Sequence, residues 1–227
     1  MLPIEAEMAG AKHEAMKHIR GISQLTAVCL LAAMAAACGA TRPTKYYVLD
    51  APSAPSAGQA QIPVRLVVAR ITASHLYRDD RLVYGTSSVQ LGTYEYHRWS
   101  ESPVDMIQDM LVANLRNSGQ YRSVSRVGSM AKGDYVVRGH LDALDEVDKP
   151  EVAARFSLQL ELFDPATGSI VWSSSYNHDE PVQTGKHPSV PDVVEALDHN
   201  VGAGIQQLTA GLSQYLASHS PTQPSGN

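Results

Sequence analysis

Cys38 is the side chain with the clearest chemistry open to it. It follows Ala35-Ala36-Ala37 at the end of an apolar run, residues 27–37, which is itself preceded by Lys17 and Arg20. A basic stretch, a short apolar run and small residues before a cut mark a bacterial secretory leader, and a run this short does not cross a bilayer as a helix. A cysteine at the cut adds a thiol that can be acylated, the layout of a lipobox. The usual Leu three residues before the cysteine is replaced by Ala35. Ala35-x-Ala37 also suits ordinary signal peptidase, which would release a soluble chain beginning at the same cysteine. Lipidation is the preferred reading, because a cysteine at the cut is otherwise a coincidence in a chain with only two. Each buried CH₂ is worth about 0.8 kcal/mol, so one acyl chain anchors weakly, while the three chains of a mature lipoprotein hold permanently. Gly39 rather than Asp follows Cys38, which points to the outer membrane.

Other chemistry is harder to assemble. The sequence has no Gly-x-x-x-x-Gly-Lys-Ser/Thr phosphate loop, no Gly-x-Ser-x-Gly elbow and no His-Glu-x-x-His pair. Gly202 and Gly204 fall inside a helical stripe, where small residues permit close packing. His178, His187 and His199 are irregularly spaced and read as surface or loop histidines, not metal ligands. Asp142, Asp145, Glu146 and Asp148 lack the regular alternation and glycine of a calcium loop and read as a solvated hairpin turn. Asp79 and Asp80 are adjacent and point apart on an extended chain. No catalytic residue, metal or cofactor is expected.

Tyr94, Tyr96, Arg98 and Trp99 form the one aromatic and cationic cluster with a binding reading. On a strand, Tyr94 and Tyr96 share a side and could offer a contact surface to a partner or an acyl chain. A Trp and Tyr cluster packed against the following helix is the competing structural reading.

The elements that position these residues follow from periodicity. A start at Met16 gives a cleaner basic region than Met1, since Glu5, Glu7 and Glu14 precede it. Residues 1–37 are therefore read as leader and 38–45 as a tether. Tyr46-Tyr47-Val48-Leu49 reads as a first strand, residues 50–61 as a loop, and residues 64–71 as a central strand apolar on both faces. Residues 82–85 and 89–96 pair as a hairpin. Ser102 caps a helix with Pro103 at its first position and Asp105 in its first turn; Val104, Ile107, Leu111 and Leu115 form its apolar face, and Gly119 stops it. Residues 121–127 read as a weaker strand.

Alternation is strongest further on. Tyr135, Val137, Leu141 and Ala143 are expected on one face, with Arg138, His140 and Asp142 opposite. Ala154, Phe156, Leu158, Leu160 and Leu162 alternate with Arg155, Ser157, Gln159 and Glu161. An Asp164-Pro165-Ala166-Thr167-Gly168 turn leads to a third strand, with Ile170 and Trp172 opposite Ser173 and Ser175. A last helix begins at Ser189, with Asp192 three residues on. Its stripe is Val194, Leu197, Val201, Ile205, Leu208, Leu212 and Tyr215. The expected fold is one α+β domain, a mainly antiparallel sheet with two amphipathic helices packed on one face, over residues 46–217; residues 218–227 read as a disordered tail.

Composition narrows the class further. Roughly 190 residues remain after the cut, enough for one domain with its own core. The formal net charge of −5 argues against nucleic-acid binding. Cys29 lies in the leader and Cys38 is committed, so the mature fold rests on its hydrophobic core without a disulfide.

The strand at Tyr46-Tyr47-Val48-Leu49 just after the lipobox, the stretch from Leu76 to Tyr84, Arg98-Trp99-Ser100 before Pro103, the Phe156 to Trp172 hairpin and the terminal helix together resemble the ABC-type transport auxiliary lipoproteins, the group containing PqiC. Members of that family are similar in being outer-membrane lipoproteins. They work with a periplasmic MCE-domain protein and an inner-membrane ABC transporter or integral membrane partner, moving lipids or excluding organic solvents. The resemblance implies a non-catalytic component that docks the MCE protein at the outer membrane. Because MCE assemblies are rings, a matching ring of copies is compatible with it. A periplasmic carrier of lipid or another hydrophobic ligand is the alternative, and an envelope hydrolase is the weakest reading.

Overall fold

The computed structural model describes residues 42–50, 62–87, 89–129, 132–148, 151–183 and 188–219. Residues Thr44–Asn227 form a compact unit separate from Met1–Pro43. The leader, Cys38, most of the expected 50–61 loop and residues 220–227 lie outside the described residues. The chain runs through β1 (Lys45–Tyr47), β2 (Ile62–Val68), β3 (Thr72–Ala73), a 3₁₀ turn (His75–Tyr77), β4 (Arg81–Ser87), β5 (Gln90–Trp99) and α1 (Pro103–Asn117). It continues through β6 (Tyr121–Arg126), β7 (Tyr135–Val147), β8 (Ala153–Asp164), β9 (Ser169–Pro181) and α2 (Val190–His219).

β7 organises the sheet. One of its edges pairs antiparallel with β8, which pairs antiparallel with β9. Its other edge is lined in succession by β2, β3 and β4, all parallel to it, with Leu66 opposite Tyr135, Thr72 opposite His140 and Val83 opposite Asp145. Beyond β2 lies β6, parallel; beyond β4 lies β5, antiparallel, and then β1, parallel to β5. The architecture is α+β as expected, but the sheet is mixed. The hairpins are antiparallel because short turns reverse the chain. α1 carries the chain from β5, toward one end of the strand order, to β6 at the other, where β6 enters parallel to β2.

Both helices cover one face. β8 buries Ala154, Phe156, Leu158, Leu160 and Leu162 completely against α2, whose stripe runs from Val193 and Val194 through Leu197, Val201, Ile205, Leu208 and Leu212 to Leu216. Burying one such side chain contributes about 1.5–3 kcal/mol, so this layer dominates the fold's stability. Gly204 makes the close approach feasible, since a Cβ there would lie 2.7 Å from the rings of Phe156 and Tyr176. Asn200 then fixes the register. It is fully buried, donates through Nδ2 to Ala154 O (2.8 Å) and His178 O (2.9 Å), and accepts from the Tyr176 hydroxyl (2.8 Å). Thr209 Oγ1, 2.9 Å from Asn114 Oδ1, joins α2 to α1.

The helix ends mostly match their sequence signals. Gly119 adopts φ 63° after α1, and Asp192 accepts from both the backbone N–H and the hydroxyl of Ser189 at 2.7 Å. Gly168, at φ 69°, closes the β8–β9 turn, in which Asp164 Oδ1 accepts from Ala166 N. Ser102 differs from expectation. Its carbonyl accepts from Asp105 and Met106, but its hydroxyl is buried without a partner, so the cap is made by the backbone alone.

Three strand readings change. β2 buries Ile62, Val64, Leu66 and Val68 and turns Arg65 to solvent, so only one face is apolar although strands flank both edges. In β7, Leu141 pairs with Leu158 and Ala143 with Ser157, leaving Asp142 as a bulge. From there the faces exchange. Leu144 joins the core beside Phe156, while Ala143 and Asp145 turn to the side of Ser157 and Arg155. In β9, Leu162 pairs with Trp172 and Phe163 with Ile170, so Val171 is extra. Ile170 therefore lies opposite Trp172, half exposed beside Phe163, whose ring carries the Arg138 guanidinium 3.8 Å above its centre.

Candidate interaction surface

β5 carries all four residues singled out from the sequence, and the structure divides them. Trp99 is 1% exposed and belongs to the core; its backbone N–H donates to Asp80 O at 2.6 Å. Arg98 is partly buried, its Nη1 2.6 Å from Asp80 Oδ1. Tyr96 is partly buried. Tyr94 donates its hydroxyl to Glu146 Oε2 at 2.7 Å and packs against Tyr84 and His97, with ring centres 4.9 and 5.5 Å away.

These contacts extend the cluster to residues the sequence reading did not include. His97 stacks on Tyr47 at 5.7 Å, and its Nδ1 lies 2.8 Å from the Tyr47 hydroxyl. Burial, with Lys45 nearby, holds His97 below its ordinary range, which suits a neutral ring accepting that hydrogen bond. Burial also pushes the Glu146 carboxyl and the Tyr94 phenol upward. Outside this row, Tyr46 and Val48 are 64% and 60% exposed. Tyr46 sits opposite Arg98 in the β1–β5 pairing, so the two project side by side from the last strand of the sheet. The signal for this was present in the alternation of Tyr46-Tyr47-Val48-Leu49. Its meaning depended on β1 being an edge strand, which no local pattern reveals.

The acidic cluster is not a solvated turn. β7 continues through Val147, and Asp145 is fully buried, with Arg155 Nη2 at 2.6 Å and the Tyr77 hydroxyl donating at 3.0 Å. Burial, then the Asp145 charge, pushes the Tyr77 phenol far up. The 3₁₀ turn that carries Tyr77 caps this end of the sheet's second face.

The exposed stretch of that face holds a cleft of about 280 Å³ between Arg70, Thr72, Arg138, His140 and Gln159. Within it Thr72 Oγ1 lies 2.8 Å from His140 Nδ1, and His140 Nε2 is 3.7 Å from Asp142. This resembles a nucleophile–base–acid row, but the His140–Asp142 separation is too long for a hydrogen bond. Thr72 Oγ1 also donates to Gly139 O, which turns its proton away from the ring. His199 pairs with Glu180 at 2.7 Å, and His178 gives its carbonyl to Asn200 while its ring centre lies 6.2 Å from that of Tyr176. His187 lies outside the described residues. Among the described residues no group of three or more His, Cys, Asp or Glu is placed to hold a metal ion, and no helix is long and apolar enough to cross a membrane.

The fold and this surface define a two-layer α+β scaffold with a filled interior and an exposed aromatic edge. The chain belongs to the family of ABC-type transport auxiliary lipoprotein components, whose pattern it matches over residues 47–209, well over half of its length. Among solved structures, a Xanthomonas campestris protein of domain family DUF330 superposes with a TM-score of 0.67 at 17% identity, covering 77% of this chain and 99% of its own. An uncharacterised protein gives 0.56 at 14% identity, covering 75% and 99%. At these identities the likeness is one of fold. Among curated proteins none matches.

Proposed function

We propose that this protein is a non-catalytic outer-membrane lipoprotein, anchored through Cys38, that docks a periplasmic MCE-domain protein of a lipid or organic-solvent transport system. An ABC transporter or integral inner-membrane partner would be reached only through that protein. The family match over residues 47–209 carries this reading. The geometry supports it in two ways. The sheet–helix layer is filled by side chains such as Phe156, Leu158 and Leu160, each fully buried, which favours docking over a hydrophobic-ligand carrier. The β1–β5 edge leaves Tyr46 and Val48 exposed beside the partly buried Arg98, on a strand that among the described residues pairs along one edge only and so could accept augmentation.

Affinity capture of the mature protein with its MCE-domain partner tests this. Tyr46→Ala combined with Arg98→Ala is expected to weaken capture at least tenfold while leaving the thermal midpoint close to the parent's. Undiminished capture by that variant would place the contact elsewhere, and absence of capture by the parent would remove the docking reading.

A further inference from the structure

The β4–β5 hairpin is apolar where it is most exposed. Val89 is 92% and Leu91 43% exposed, and residues 82–94 contain no charged side chain. A solvent-facing hairpin ordinarily carries charge at its tip; this one has Tyr84 and Tyr94 at its base instead, the residues that settle at a membrane–water interface.

The direction of β1 says what lies opposite that tip. β1 runs parallel to β5, with Lys45 opposite His97, so the backbone preceding Lys45 points along β5 toward Gln90. From His97 to Gln90 is seven residues, about 23 Å of strand. From Cys38 to Lys45 is also seven residues, a reach of about 25 Å at most when fully extended. A tether continuing in the direction of β1 would therefore reach about as far as the hairpin does. A bilayer holding acylated Cys38 stands at the level of the tip when the tether is stretched, and closer to the domain when it is not. A stop to insertion is also built in. The Asp148 N–H donates to Gly85 O at 3.1 Å, which sets a carboxylate beside the strand two residues before Ser87. The tip beyond it is about 7–10 Å long, the depth to which interfacial segments bury.

We infer that the β4–β5 hairpin tip, through Val89, with Leu91 below it at the level of Asp148, is a second contact with the lipid surface in which Cys38 is anchored, and that it orients the domain on that surface. This rests on the anchor reading above. The tip penetrates the headgroup and upper acyl region, Asp148 stays in water, and the β8–β9 turn at Ala166 stands at the far end of β7, about 40 Å away along that thirteen-residue strand.

The test uses the intact lipidated protein. Once Cys38 is acylated and the leader with Cys29 is removed, Val89→Cys supplies its only free thiol; Ala166→Cys does the same at the far end. Each is labelled with an environment-sensitive fluorophore and reconstituted in phosphatidylethanolamine–phosphatidylglycerol vesicles, with or without brominated acyl chains. Flotation with the vesicles reports the anchor. The expected result is flotation of both proteins, a blue-shifted emission at position 89, and bromine quenching there several-fold stronger than at 166. Flotation with an aqueous, unquenched signal at 89 would overturn the tip contact and leave the anchor standing. A blue shift without bromine quenching would also overturn it, since protein, such as a second copy, then covers the tip. Failure to float would remove the anchor, and the inference with it.

Discussion

Arg155 on β8 and Asp145 on β7 face each other across the sheet, Arg155 Nη2 lying 2.6 Å from an Asp145 carboxylate that is fully buried. Removing one member strands the other's charge, whereas removing both removes the desolvation cost as well. Arg155→Met is expected to destabilise the domain by about 2–4 kcal/mol, somewhat less than a fully enclosed pair because Arg155 is partly exposed. The Asp145→Asn, Arg155→Met double variant is expected to recover more than half of that loss in a denaturant double-mutant cycle. Strict additivity would show that the pair is not coupled.

Two glycines of α2 are expected to respond in opposite directions to alanine. At Gly204 a Cβ meets two aromatic rings at 2.7 Å; at Gly211 its nearest neighbour is Trp172, at 3.6 Å. Gly204→Ala should cost about 1–3 kcal/mol through overpacking, and Gly211→Ala should stabilise by about 0.5–1 kcal/mol through helix propensity. Thermal unfolding of the two variants checks both signs at once.

Trp99 separates structure from recognition within β5. Trp99→Ala deletes a wholly buried indole and should cost about 3–5 kcal/mol, so lost partner capture in that variant accompanies unfolding. A normally folded Trp99→Ala domain that has lost its partner would return Trp99 to the contact surface.

Glu146 gives the stability a pH signature. Burial raises its pKa above that of the unfolded chain, where a glutamate titrates near about 4.3. Just above that pH the folded state still holds a proton the unfolded chain has lost, so stability falls as pH rises through the window, and the penalty persists above it. Glu146→Gln keeps an acceptor for the Tyr94 hydroxyl and removes the penalty. It should melt higher than the parent at pH 7, and the gap should close near pH 4. Equal midpoints at both pH values would contradict this.

What the sequence made legible was local. The β8 alternation, the Asp164–Gly168 turn, the Ser189–Asp192 cap and the α2 stripe each follow from neighbours within a few residues, and each stands in the structure. What it concealed was a matter of insertion and distance. The extra residues Asp142 and Val171 reverse the faces of Ala143 and Ile170, and a one-residue bulge has no periodic signature. Asp145 looked solvated because its cover, Tyr77, is 68 residues away in the chain. The parallel pairing of β2, β3 and β4 with β7, and the edge position that exposes Tyr46, join segments about 50–70 residues apart in the chain, beyond the reach of any local pattern. At the site, Trp99 and Arg98 were read as one cluster, although alternation along the strand sends them to opposite sides.

The docking role is tested most directly by locating the MCE-domain partner in cells after density separation of inner and outer membranes. The account predicts that a substantial fraction sediments with the outer membrane, that this fraction disappears with Cys38→Ser, and that it falls sharply with the Tyr46→Ala, Arg98→Ala variant. An MCE-domain protein whose distribution between the two membranes is unchanged by both variants would contradict it.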